Sequence, residues 1–169
     1  MKFNKAYQTA LLFTGLSLSF AAAAMPEDCI ITAAQCFKVN PLIIKAIIWQ
    51  ESKNKQTAVN TNKNNTVDVG LMQINSIHFR KLNSLGISES NLRKNSCANV
   101  FAGTWILHKA IQRNGYTWDG VGSYHSSTPE HRDPYVKKII NTIAYKHSLI
   151  RDLRVMGQGK FEDKFNCPN

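Results

Sequence analysis

The sequence has little of what would point to a metal site, a membrane span or a repeat. Its four cysteines include no paired C-x-x-C, and no H-x-x-x-H occurs. The usual zinc spacings are therefore missing, and no metal ligand set is expected. Beyond residue 24 no apolar run approaches the ~20 residues that a bilayer span requires. No segment repeats along the chain. Acidic residues are scarce too: 11 Asp and Glu stand against 21 Lys and Arg, a net charge of +10. A chain this cationic is drawn to anionic polymers.

What is present begins with a leader-like segment. Lys2 and Lys5 precede an apolar stretch containing Leu11, Leu12, Phe13, Leu16, Leu18 and Phe20, and Ala22, Ala23 and Ala24 follow. A positive start, a short apolar core and small residues form the pattern of a cleaved export signal. The expected organisation is a signal peptide over 1–24, one domain over 25–150 and a C-terminal tail over 151–169. The product would be periplasmic or secreted, with no stable membrane insertion after cleavage. Cleavage would leave 145 residues, enough for one core burying roughly 68–70% of the unfolded surface. Two basic residues and no acidic ones lie in the leader, so the remaining charge is about +8. Export argues against nucleic acid as the partner and favours an anionic wall glycan or a lipid surface.

All four cysteines, Cys29, Cys36, Cys97 and Cys167, follow the leader. An even count in an exported chain reads as two disulfides. Cys29 and Cys36 share one expected helix, about 10.5 Å apart at ~1.5 Å per residue. A disulfide tolerates Cα separations only up to ~7 Å. They should pair outward, one with Cys97 and one with Cys167.

The spacing predicts a mainly helical fold. A first helix covers about 28–37. A second opens at Asn40-Pro41, a cap followed by proline at the first helical position. It continues through Leu42, Ile43, Ile44, Ala46, Ile47, Ile48 and Trp49, apolar on most sides, and should be the buried central helix. It ends near Glu51 or Ser52. Residues 53–66 read as a polar loop, and 67–75 as a short strand and turn. Ser88 caps a short helix to about Lys94. A long helix spans about 97–114 and stops at Asn114-Gly115. Residues 118–124 form a helical turn. Asp133-Pro134 opens the last long helix, burying Val136, Ile139, Ile140, Ile143 and His147. The tail from Arg151 is polar, and without Cys167 it should be loose.

Glu51 stands out chemically. It closes an apolar helix, with Ile47 and Ile48 on its own face. Burial disfavours its ionised form, and the negative helix C-terminus acts in the same direction. Both keep a proton available near neutral pH, which is what a general acid needs. The sequence equally allows a solvated Glu51 paired with Lys53 or Lys55.

Glu51-Ser52, Gly70-Leu71-Met72-Gln73-Ile74-Asn75 and Tyr124 resemble the three ordered motifs of soluble-type lytic transglycosylases. The resemblance is strongest to the small accessory enzymes of conjugation, pilus and type III secretion machines, and covers about Cys29 to Tyr124. It implies an α+β, mainly α, lysozyme-like fold with a small β element beside the cleft. It implies that Glu51 is the single catalytic acid, with Ser52 positioning Glu51 or substrate. Gly70, Leu71, Met72, Gln73 and Asn75 would supply the cleft motif, Gln73 by bonding a sugar or orienting the site. Core packing fits Leu71 and Ile74 as well, and Gly70 suits a backbone turn. Tyr124 would place its hydroxyl near the acid. The third motif usually reads Tyr-Asn, whereas this chain has Tyr124-His125, which alters the sugar contact and the pH profile.

The same resemblance favours Cys29–Cys97, leaving Cys36–Cys167. It implies a substrate of peptidoglycan glycan strands and no cofactor. It also suggests a conjugation, pilus or type III secretion apparatus as a partner. Cleavage would end in a 1,6-anhydromuramyl product. Asp68, two residues before Gly70, is a candidate second carboxylate. In that role it would allow a hydrolytic, lysozyme-like outcome; otherwise it is a turn residue. A non-catalytic wall-binding subunit is a further alternative.

Overall fold

Helix starts in this protein carry their own caps. Asp28 accepts the Ile30 amide and opens α1 (Cys29–Phe37). Asn40 accepts the Leu42 amide, and Pro41 begins α2 (Pro41–Ser52). Helix α2 is the central helix: Ile44, Ala46, Ile47 and Ile48 are fully buried. Even Lys45 is buried, its Nζ donating to the Arg151 carbonyl at 2.9 Å. The computed structural model describes residues 28–157 and 159–167; the expected signal peptide at 1–24 lies outside them.

After α2 the chain forms a three-stranded antiparallel sheet in the order β1 (Val59–Thr61), β2 (Val67–Val69), β3 (Ile74–Asn75). Its register pairs Asn60 with Asp68 and Asp68 with Asn75. Alternation therefore places the side chains of these three residues on one face. A 3-10 turn over Ser76–His78 leads into α3 (Phe79–Ser84). Next come α4 (Glu89–Lys94), closed at its start by a Ser88–Asn91 capping box, and α5 (Ser96–Asn114). Helix α6 (Trp118–Gly122) follows, then α7 (Pro129–Tyr145) and α8 (His147–Arg151).

Helix α7 begins earlier than expected. Thr128-Pro129 takes the start, and Pro134 lies inside the helix. Either proline is compatible with a helix's first turn, and the upstream pair captures it. Ile139 is buried as expected and Val136, Ile140 and Ile143 are half-buried; Tyr135 and Thr142 join the inward face, while His147 is exposed.

Cys29 pairs with Cys97 and Cys36 with Cys167. Each such link is typically worth ~2–4 kcal/mol by restricting the unfolded chain. The C-terminal segment is more than a tethered tail. Leu153, Val155 and Phe161 are buried in the core. The Cys29 amide donates to the Val155 carbonyl, and Asp28 bridges Met156. Phe165 packs edge-on against Phe37 and stacks on Phe101. Its apolar residues are spread among polar ones, which hides the pattern in the sequence. The result is the expected α+β, mainly α, lysozyme-like arrangement: helices around α2 and α5, with a small sheet beside the end of α2.

Candidate active site

Glu51 sits in the last turn of α2, where the helix meets a cavity of about 610 Å³. The sheet supplies one wall with Asn60, Asn62, Asp68 and Asn75, and Ile74, Ile106 and Tyr124 supply others. The buried Glu51 Oε1 has no hydrogen-bond partner among the described residues. Burial pushes the carboxyl up from 4.5 to about 6. The Tyr135 hydroxyl faces it and pulls the other way, Asp68 adds to the rise, and Lys53 and Lys138 oppose it. The Tyr135 hydroxyl is itself buried and meets strict hydrogen-bond geometry with no group among the described residues, and its O–H dipole directed at the carboxyl is what opposes the rise. At pH 7 a carboxyl of that acidity is protonated about a tenth of the time, roughly thirty times more than an ordinary Glu.

The solvated, Lys-paired Glu51 that the sequence also allowed is not what forms. Lys53 turns back to cap α2, its Nζ donating to the Trp49 and Gln50 carbonyls at 2.8 and 3.3 Å. No ion pair to Glu51 exists among the described residues.

Asp68 has the opposite surroundings. Its Oδ1 accepts from the Asn75 amide at 2.7 Å, and its Oδ2 from Asn62 at 2.8 Å and Asn60 at 3.4 Å. It is a strand residue gripped by side-chain amides rather than a turn residue capping backbone.

The remaining sequence candidates divide. Gln73, Asn75, Tyr124 and His125 line the Glu51 cavity. Gln73 adopts φ 49° and commits its amide to the Ala58 and Gly70 carbonyls at 3.2 and 2.9 Å. Its side-chain carbonyl is the group left for the cavity. The Tyr124 hydroxyl donates to the Met72 carbonyl at 2.6 Å rather than to Glu51. The nearby Glu51 charge and above all burial keep it from ionising. His125 stacks one face on Tyr135, ring centres 4.6 Å apart, while its edge is open to solvent. Partial burial, with Lys138 and His131 nearby, lowers its pKa below the usual 6.5 and keeps it neutral at pH 7.

Ser52, Gly70, Leu71 and Met72 stand behind the wall. Ser52 Oγ donates to the Ile48 carbonyl and accepts the Lys55 amide, fixing the turn after Glu51. Leu71 and Met72 are core. Gly70 has φ +78°, and a Cβ there would run into the Asn99 side chain.

Three groups escaped the sequence reading: Asn99, Tyr135 and the Asn60/Asn62 pair. Asn99 is fully buried on α5. It donates to the Val69 and Leu92 carbonyls at 2.9 and 3.0 Å and accepts the Met72 amide at 2.8 Å. It thereby clamps both ends of the turn that carries Gly70 and Leu71. A lone amide on an apolar helix face was the available signal. Among the described residues no cluster of three His, Cys, Asp or Glu could hold a metal, and no helix is long and apolar enough to cross a membrane.

This geometry agrees with the comparisons. Residues 28–138 match the family described as "Transglycosylase SLT domain". The chain belongs to that family. It is 38% identical over 116 residues to "Invasion protein IagB" of Salmonella typhimurium strain SL1344, covering 66% of this chain and 72% of the relative. It is 37% identical over 150 residues to a "Peptidoglycan-binding-like protein" of Escherichia coli O157:H7, at 82% and 86% coverage. "Protein IpgF" of Shigella flexneri is 30% identical over 149 residues, at 88% and 94%. The motif positions at the cavity, Glu51, Gln73, Ile74, Asn75 and Tyr124, fall within the matched SLT span.

Proposed function

We propose that this SLT-family protein is a peptidoglycan lytic transglycosylase with Glu51 as its acid and then its base. Glu51 protonates the oxygen bridging MurNAc to GlcNAc as the bond from the anomeric carbon breaks. The substrate's own N-acetyl carbonyl supports the positive charge that develops there. The Glu51 carboxylate then takes the proton of the muramyl C6 hydroxyl, and that oxygen closes on the anomeric carbon. The 1,6-anhydro product forms without water, and proximity favours the internal attack. Gln73, Asn75 and His125 contact sugar. Tyr124, Ser52 and the turn from Gly70 to Met72 hold the wall in place.

The observation that carries this reading is the buried, unpartnered Glu51 oxygen at the cavity, with a pKa near 6. A binding subunit would have no use for an acid so costly to ionise. Export through the 1–24 signal to the periplasm or beyond fits the substrate, as does the cationic charge. The wall opening would serve a secretion or conjugation machine, a role in keeping with a relative named "Invasion protein IagB".

A second reading has one observation in its favour: Asp68 lines the same cavity, and its charge acts on Glu51. An ionised Asp68 beside the anomeric carbon would permit hydrolysis by two carboxylates. Mass spectrometry of digested peptidoglycan separates the two. Anhydromuramyl ends are expected, reducing ends would establish hydrolysis, and no products at all would leave a binding protein.

A further inference from the structure

The Glu51 cavity continues beyond the motif residues. His78 and Ile106 line both it and a neighbouring cavity of about 230 Å³, completed by Trp105, Lys109 and Arg113. Those three residues recur every four positions along α5, so they form one stripe on that helix. Trp105 is half-buried, its indole backed by Phe165 at 6.1 Å between ring centres. The Cys36–Cys167 link holds the segment that carries Phe165.

The two cations are exposed, and no carboxylate pairs with either among the described residues. Lys109 Nζ donates to the neutral Gln112 amide oxygen at 3.0 Å. The Arg113 charge reaches His78, where it adds to burial in lowering the imidazole pKa. Like charges four apart on a helix repel. Arg113, in the last turn, gains from the helix dipole, whereas Lys109 lies a turn earlier and gains less. An aromatic face beside two unneutralised cations, continuous with a glycan cleft, matches a ligand that is part sugar and part carboxylate.

We propose that this stripe is a distal subsite that selects peptide-bearing strands. Trp105 takes a sugar face, and Lys109 and Arg113 hold carboxylates of the stem peptide that hangs from a muramyl lactyl group. The inference rests on the peptidoglycan reading of the Glu51 cleft and adds to it a preference for undegraded wall over strands stripped of peptide.

The test is cosedimentation of the full-length Glu51→Gln protein, which should not degrade its ligand, with two insoluble preparations. One is peptide-bearing peptidoglycan; the other is the same material after amidase removal of the stems. Lys109→Gln/Arg113→Gln is added in that background, and thermal melts confirm that these exposed substitutions leave the fold intact. Binding to peptide-bearing material should weaken about tenfold, the effect of two surface ion pairs. Binding to stripped strands should change less than about twofold, and the gap should close as salt rises. Equal loss on both would mean general attraction to the strand and would overturn the proposal. Loss on neither would overturn it as well and would leave the cations to another partner, such as an acidic protein. If the parent Glu51→Gln protein bound neither preparation, the peptidoglycan reading itself would fall, which is a distinguishable result.

Discussion

Two carboxyls face one cavity from opposite walls, and their surroundings differ in kind. Glu51 comes from the helical side, where α2 is apolar almost all round and one oxygen finds no partner. Asp68 comes from the sheet, where side-chain amides occupy both of its oxygens. The helix wall withholds solvation and so raises the pH at which Glu51 gives up its proton. The sheet wall instead supplies Asp68 with hydrogen bonds from three asparagine side chains. One chemical group acquires two different environments from the element that presents it.

Removing the acid should have the largest effect. Glu51→Gln retains shape and loses the proton, so lysis in zymograms should fall by about a thousandfold or more, within the range for a lost general acid. Retained activity would make the helical wall irrelevant to the chemistry. Asn99→Ala attacks the other wall, because it leaves the Val69 and Leu92 carbonyls and the Met72 amide without their partner. Denaturant unfolding should show a loss of roughly 3–5 kcal/mol, the cost of a broken buried network.

The same Glu51→Gln change should sharpen the contrast through stability. A carboxyl raised to about 6 in the fold from an ordinary 4.5 favours folding only while protonated. Its stabilising contribution is present below pH 4.5 and is lost as pH rises past 6. The neutral variant should therefore exceed the parent in stability by up to about 2 kcal/mol at pH 8, and match it near pH 4. A constant difference across pH would mean that the native carboxyl is solvated.

The smallest effect belongs to Asp68→Asn. It removes a charge that raises the Glu51 pKa, so the falling limb of rate against pH should move to lower pH. Activity at pH 6 should drop less than about tenfold, with anhydro ends retained. A loss on the order of a hundredfold or more would instead assign Asp68 a direct part in bond cleavage.

The two walls were unequally legible in the sequence. The helical wall could be read locally. Asn40-Pro41 marks its start, the isoleucines mark its burial, and an acid at the end of such a run is out of place on electrostatic grounds. The sheet wall could not. Asp68 is defined by Asn60, Asn62 and Asn75, whose alignment depends on a register that short polar strands do not announce. Asn99 acts across about 30 residues of chain, and Tyr135 reaches the acid from α7. Such contacts leave no periodic trace. The start of α7 was misplaced because Pro129 and Pro134 both suit a first turn. The C-terminal segment reads as a tail held only by Cys167 because Leu153, Val155, Phe161 and Phe165 lie among charged residues.

The most direct measurement is the titration of Glu51 itself, by NMR of carbon-13-labelled glutamate carboxyls with Glu51→Gln for assignment. A midpoint near 6 is predicted. A midpoint at the ordinary 4.5, in the free protein and with glycan bound, would contradict the account.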